Sequence, residues 1–221
     1  MKTMDHIDKK IDRAFQCLYL SNGMDYIGES VSQLEHALQS AYFAEQAGHS
    51  QEVILACLFH DIGHFASDTK QNKMADLGVV HHEWIGATLA YTLGFSAKVA
   101  LLIGHHVNAK RYLAGKKKDY FERLSAASKK TLLFQGGVMT DEEMRHFEAN
   151  THFKDILRVR VNDEKAKEIG MEVPDLVYYR PYLYKHFVET ARSIEHISLP
   201  NYVDNVWVEQ FKASLEKRLL A

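Results

Sequence analysis

Apolar residues recur along this chain at intervals of three and four, the spacing that lines one face of an α-helix. Ile7, Ile11, Phe15, Leu18 and Tyr19 predict a first helix over residues 4–20, broken by Ser21-Asn22-Gly23. Residues 24–30 read as a short irregular segment holding Tyr26 and Glu29. A second amphipathic helix over 31–47 stops at Gly48. The third, over 51–62, is apolar almost throughout from Val53 to Phe59, so it belongs at the centre. Residues 65–80 read as a loop. A fourth helix over 81–93 closes on Gly94, and Ser96 caps a fifth over roughly 97–113.

The pattern continues with a sixth helix over 118–134, ended by Gly136-Gly137. Thr140 with Glu143 has the spacing of a capping box and opens a seventh. An eighth runs over 153–168. Pro174 opens a ninth that Pro181 limits or kinks. An amphipathic last helix spans about 203–219. Strand signals are poor throughout, and only three prolines occur. The expectation is an all-α single domain over 1–221, with its motifs in a core of about 20–185 and a helical extension over about 195–221.

Composition narrows the function classes. A chain of 221 residues with 46% hydrophobic and 25% charged content is long enough to bury a core without staples. The net charge of −2 gives no field for nucleic acid, and Lys116-Lys117-Lys118 reads as a solvated loop. Cys17 and Cys57 cannot form a disulfide framework, and Cys57 sits in an apolar run, which fits a reducing compartment. The polar N-terminus is unlike a signal peptide, and no apolar run approaches the ~20 residues of a membrane span. A cytoplasmic protein with neither a nucleic-acid nor a membrane partner is expected. The oligomeric state is not readable.

Thirteen histidines raise the question of metal. His36, His60, His82 and His106 are 24, 22 and 24 residues apart, each on a different predicted helix. An antiparallel helical array can bring one such histidine per helix to a common level. Asp61 follows His60 directly. Neighbouring helical residues diverge by about 100°, so both can reach one site only at a helix end, where the chain turns before Gly63. A carboxylate there can bridge two cations through its two oxygens. His49, His146, His152, His186 and His196 read as surface or satisfied core residues. His81 and His105 stand beside proposed ligands, and pattern alone separates them from their neighbours.

A histidine, a His-Asp pair and a distant aspartate (His36, His60-Asp61 and Asp163) resemble the ligand set of the HD-domain superfamily, most of whose members are helical metal-dependent phosphohydrolases. Asp25-Tyr26-Ile27-Gly28-Glu29, Gln33-Leu34-Glu35-His36 and Ala109-Lys110-Arg111-Tyr112-Leu113 resemble a narrower group. So do Lys130-Thr131-Leu132 with Gln135-Gly136-Gly137, and Phe153-Lys154-Asp155 running on to Arg160 and Asp163-Glu164-Lys165. That group is the HD-domain mixed-valence di-iron oxygenases that cleave organophosphonates.

The resemblance implies an Fe(II)/Fe(III) pair and O2 as co-substrate. His36, His60, Asp61 and Asp163 would hold one iron, and His82 and His106 the second, with Asp61 bridging. The ligand types alone would also admit manganese or zinc. Lys110, one turn after His106, and Arg160, one turn before Asp163, would neutralise a phosphonate, with Ser128 as a further contact. His64 would hydrogen-bond substrate or a bridging oxygen. Tyr26 would cap an iron when substrate is absent, and Glu29 would meet a substrate amine. A carboxylate favours a primary ammonium over a trimethylammonium, which has no N–H to donate. The implied reaction is O2-dependent cleavage of the C–P bond of a 1-hydroxy-2-aminoethylphosphonate, amino or N-trimethyl, giving phosphate and glycine or glycine betaine. An HD-type phosphohydrolase, built on the same ligands, is the alternative.

Overall fold

The computed structural model describes residues 2–20, 30–64 and 79–191. Tyr26 and Glu29, most of the expected loop over 65–80 and the last expected helix over 203–219 lie outside the described residues. Among the described residues there are ten α-helices and no strand, and no helix is long and apolar enough to cross a membrane.

Four helices surround the interior. α2 (Gln33–Gln46), α3 (Gln51–Phe59), α5 (Ala97–Lys116) and α9 (Phe153–Lys165) pack on one another. α3 is buried on every side from Val53 to Phe59, as its unbroken apolar run requires. α4 (His82–Leu93) lies along α5 and against a 3-10 turn at Ile62–His64. α1 (Lys2–Tyr19) and α10 (Arg180–Thr190) cover the other side together. The short α6 (Lys118–Arg123), α7 (Ala126–Phe134) and α8 (Asp141–Glu148) follow α5.

Helix starts follow side-chain caps. Ser32 accepts from the Glu35 amide at 3.2 Å while Glu35 accepts from the Ser32 amide at 2.7 Å. This capping box starts α2 two residues later than the apolar pattern alone implies. Ser96 caps α5 at 3.2 Å, and Thr140 with Glu143 forms the expected box on α8.

Three expectations are corrected. The helix foreseen over 51–62 stops at Phe59, with His60 as its C-cap, and the chain tightens into the 3-10 turn. The helix foreseen over 118–134 is two: Leu124 turns its side chain into a small cluster with Ala114 and Leu132, and Ser125 restarts the helix by accepting from the Ser128 amide at 3.1 Å. Serine competes for backbone donors within a helix and favours its start. Pro181 opens α10 in its first turn, where its missing N–H costs nothing, and does not kink it.

Two glycines let α4 close on its neighbours. A Cβ on Gly104 of α5 would stand 2.5 Å from the Trp84 ring of α4. One on Gly63 would run into the His82 carbonyl and stand 2.7 Å from the Gly86 amide nitrogen. Side chains at these places would push α4 away, and His82 with it.

Candidate metal centre

Six buried side chains converge where α2, α3, α4, α5 and α9 meet. His36, His60 and Asp163 form one group that can hold a metal ion, and Asp61, His82 and His106 form another. In each, the candidate ligand atoms lie within 4.8 Å of one another. Asp61, a member of the second group, also reaches the histidines of the first. Its Oδ2 lies 3.4 Å from His60 Nε2 and 3.8 Å from His36 Nε2. Its Oδ1 lies 3.5 Å from His82 Nε2 and 3.6 Å from His106 Nε2. The early end of α3 permits this, since it frees Asp61 from the helical direction of His60.

Backbone carbonyls fix the four imidazoles. The Nδ1–H of His36 donates to Ala166 O at 2.6 Å and that of His60 to Cys57 O at 2.8 Å. His82 donates to Val79 O at 3.1 Å and His106 to Ile103 O at 2.7 Å. With the proton on Nδ1, each Nε2 presents a lone pair. These lone pairs face one another, at 3.0 Å between His36 and His60 and at 3.2 Å between His82 and His106. Two lone pairs so close repel unless a proton or a metal ion lies between them.

The carboxylates agree. Asp163 is 1% exposed, and its Oδ1 has no hydrogen-bond partner although it lies 3.4 Å from His36 Nε2. A buried carboxylate oxygen left so costs several kcal/mol, about 1–3 or more, unless a cation meets it. Burial works to raise Asp61 and Asp163, but each is held well below the usual carboxylate range, Asp61 by His60 and Asp163 by Arg160. Burial alone would hold His60 neutral, yet Asp61 and Asp163 push it up to about 9. The pocket attracts positive charge. Four imidazole nitrogens and two carboxylates, with too few donors to close two coordination shells, fit a pair of first-row transition-metal ions with open positions.

His64 differs from its neighbours. It stacks on His82 with ring centroids 3.8 Å apart, but its Nδ1 accepts from the Val79 amide at 3.2 Å. The proton is therefore on Nε2, which lies 4.0 Å from Asp61 Oδ1. Four histidines point lone pairs into the site and this one points a donor.

The two cations named from sequence are not at the surface. Lys110 is 4% exposed, its Nζ donates to Thr131 Oγ1 at 3.0 Å, and burial, with Arg160 nearby, pushes it down to about 7. Arg160 is also 4% exposed. Its Nη1 donates to Asp163 Oδ2 at 2.5 Å, its Nε to Tyr120 OH at 2.7 Å, and its Nη2 to Glu164. Arg160 thus aims Asp163, leaving Oδ1 for the cluster. Ser128 stands in the first turn of α7, 3.5 Å from Lys167 Nζ.

The adjacent histidines differ in their contacts. His81 precedes α4 with φ of 61°, its side chain half exposed. His105 packs edge-on to Trp84, and its Nδ1 pairs with Asn108. His146 is exposed, His49 and His152 are partly buried outside both groups, and His186 is a core residue accepting from the Ser96 amide at 3.0 Å. His196 lies outside the described residues.

Sequence reasoning passed over Thr131, Tyr120, Glu164 and Lys167 as members of the site, and Glu83, which is buried beside His82 and held at about 2, against its burial, by His81 and His82. Glu164 had a signal, one turn after Arg160 on α9. Lys167 lies one turn after Asp163 and Glu164 in the helix expected over 153–168, but α9 ends at Lys165, so contacts rather than helical spacing place it.

The HD domain model matches residues 34–133, a span that holds five of the six converging side chains and stops short of Asp163. The [1-hydroxy-2-(trimethylamino)ethyl]phosphonate dioxygenase (glycine-betaine-forming) of Leisingera caerulea is 43% identical over 157 residues, covering 71% of this chain and 80% of its own. The hydroxymethylphosphonate dioxygenase of Gimesia maris is 41% identical over 164 residues, covering 73% and 81%. The chain belongs to the HD-domain phosphonate dioxygenases. It is an oxygenase, and the hydrolase that the same ligands would permit is set aside. The uncharacterized protein L432 of Acanthamoeba polyphaga mimivirus is 36% identical over 192 residues, covering 86% of this chain and 88% of its own.

Proposed function

We propose that this oxygenase cleaves the C–P bond of a 1-hydroxy-2-aminoethylphosphonate, in its amino or N-trimethyl form, using O2 and a pair of iron ions. One substrate and one O2 give one phosphate and one glycine or glycine betaine, so atoms balance without another reductant consumed. The observation that carries the reading is Asp61, whose two oxygens face two different pairs of imidazole nitrogens. His36, His60 and Asp163 would hold one ion, His82 and His106 the other, with Asp61 shared. The ions supply the redox chemistry with O2.

The chain's own residues bind, orient and exclude water. Arg160 keeps Asp163 ionised and turned toward the cluster. His64 offers its Nε2–H to an oxygen of the substrate at the centre. Lys110 and Arg160 would neutralise the phosphonate, with Ser128 donating a hydrogen bond to it, and the burial of both cations strengthens each charge by removing water. Glu29 would receive the amine, and Tyr26 would cap an iron when no substrate is present. The names of two relatives support a substrate with a hydroxyl on the phosphorus-bearing carbon, one with a trimethylamino substituent and one without.

The test supplies iron and a reductant to the purified protein with the amino and trimethylamino 1-hydroxyethylphosphonates and hydroxymethylphosphonate. Phosphate is expected only with O2, one per O2 consumed, with the carbon product identifying the substrate. Phosphate released equally fast without O2 would overturn the reading.

A further inference from the structure

Three cations meet at one end of the site, and one carboxylate is held between two of them. Glu164 accepts from Arg160 Nη2 and, at 3.2 Å, from Lys167 Nζ. Lys167 Nζ also lies 3.5 Å from Ser128 Oγ, and Lys110 Nζ lies 3.0 Å from Thr131 Oγ1. The Lys110 charge feels Arg160 and Glu164 as well as Asp61 and Asp163. Glu164 thus sits between Arg160 and Lys167, and Lys167 also reaches the hydroxyl of Ser128.

The three partners of Arg160 are not equivalent. Asp163, on Nη1, has a side chain 2% exposed and is committed to the cluster. Tyr120 fixes Nε. Glu164, on Nη2, has a side chain 24% exposed, so a change of rotamer takes its carboxylate into water. Releasing Glu164 leaves Arg160 held by its other two bonds, opens one guanidinium N–H and removes one anion from beside the Lys167 ammonium. A buried guanidinium N–H without an acceptor is costly, which explains why a carboxylate is kept there.

We propose that Glu164 is an exchangeable counter-ion: its carboxylate occupies the anion position between Arg160 and Lys167 and yields it to the phosphonate of the substrate. Lys167 is then a third cationic contact for that group. The inference rests on the proposed phosphonate chemistry. An incoming anion must out-compete a tethered carboxylate, which keeps weakly bound anions out of the site. A dianion competes better than a monoanion of the same shape.

The experiment measures equilibrium binding of methylphosphonate and of methanesulfonate to the metal-loaded enzyme, by calorimetry, for the wild type, Glu164→Gln and Lys167→Met. Neither probe has a hydroxyl to oxidise, so binding is read apart from turnover. Glu164→Gln is expected to bind methylphosphonate on the order of tenfold more tightly, since one charged hydrogen bond no longer competes. Its affinity for methanesulfonate should rise by a similar factor, since the same competitor is removed. Its melting temperature should fall without ligand and recover on adding methylphosphonate. Lys167→Met should bind methylphosphonate on the order of tenfold more weakly. Unchanged or weaker binding by a folded Glu164→Gln would overturn the exchange and make Glu164 a positioning residue for Arg160. A wild type that binds methylphosphonate but releases no phosphate from 1-hydroxyphosphonates would count against the proposed reaction and leave the exchange standing.

Discussion

The backbone amide of Val79 donates to Nδ1 of His64 at 3.2 Å, and this bond gives His64 the opposite tautomer from the four histidines around it. His82 next to it donates its Nδ1–H to the carbonyl of the same Val79. One residue's amide and carbonyl therefore sort two stacked imidazoles into a donor and a lone pair. The first prediction follows. His64→Ala should keep the metal content of the wild type while turnover falls about 10²-fold, the usual loss of one aimed hydrogen-bond donor. His60→Ala should lose metal. Elemental analysis beside a phosphate-release assay separates the two, and loss of metal from His64→Ala would place it among the ligands.

Arg160 offers a fork of nitrogens to Asp163, Tyr120 and Glu164. Arg160→Lys keeps the charge and loses the fork. Metal affinity should fall by roughly 10–100-fold, the range for loss of a partner that orients a ligand. Competition with a chelator measures it. An unchanged affinity would show that Asp163 is aimed without Arg160.

Metal removal should lower thermal stability. Asp163 Oδ1 and the paired Nε2 atoms are buried donors that a cation would satisfy. Adding Fe(II) to chelator-treated protein should raise the melting temperature with a concentration dependence set by the affinity, about 2.7 kcal/mol at a hundredfold excess over Kd. His36→Ala should reduce that gain, and an equal gain in this variant would mean the iron binds elsewhere.

Gly63→Ala tests the packing that brings α4 to the cluster. Its Cβ would meet backbone atoms of His82 and Gly86 rather than side-chain ends that can move. The loss should reach or exceed the upper end of the ~1–3 kcal/mol typical of overpacking. Denaturant unfolding measures it. A neutral effect would show that the 3-10 turn can shift without disturbing α4.

His186 links acid to the start of α5. Burial pushes its imidazole down to about 4, with Glu52 working the other way, and its Nε2 must stay unprotonated to accept from the Ser96 amide. The unfolded chain takes up this proton first as pH falls, so the contribution is complete above about 6.5 and is lost from there down to about 4. The loss approaches about 3 kcal/mol, from ~1.4 kcal/mol per unit. Unfolding free energies measured from pH 7 to 4 should show a shallower slope for His186→Asn than for the wild type. Parallel slopes would remove His186 as the cause.

Much of the fold was legible because helices announce themselves locally. Thr140 with Glu143, Ser96 and Gly94 lie at helix ends where their side chains or backbone freedom predict them. The break at Leu124 and Ser125 was not legible, since Leu124 keeps the apolar spacing and leaves the helix only to reach Ala114 and Leu132. Pro181 read as a kink because its effect depends on where the helix begins, which Asp175 and the 3-10 turn at Leu176–Tyr179 decide.

The sequence by itself determined the helical architecture and the residue types at the centre: one imidazole per helix at near-equal spacing, and an aspartate beside one of them. Periodicity reports which face of a helix is apolar, and that was enough to place those residues at a common level. Only the tertiary structure decided the division of Asp61 between two groups, the tautomers of five histidines, the burial of Lys110 and Arg160, and the placing of Glu164 and Lys167 together. These depend on carbonyls and amides that every residue carries, such as those of Cys57, Val79, Ile103 and Ala166, and on contacts between helices distant in the chain. Side-chain identity records neither.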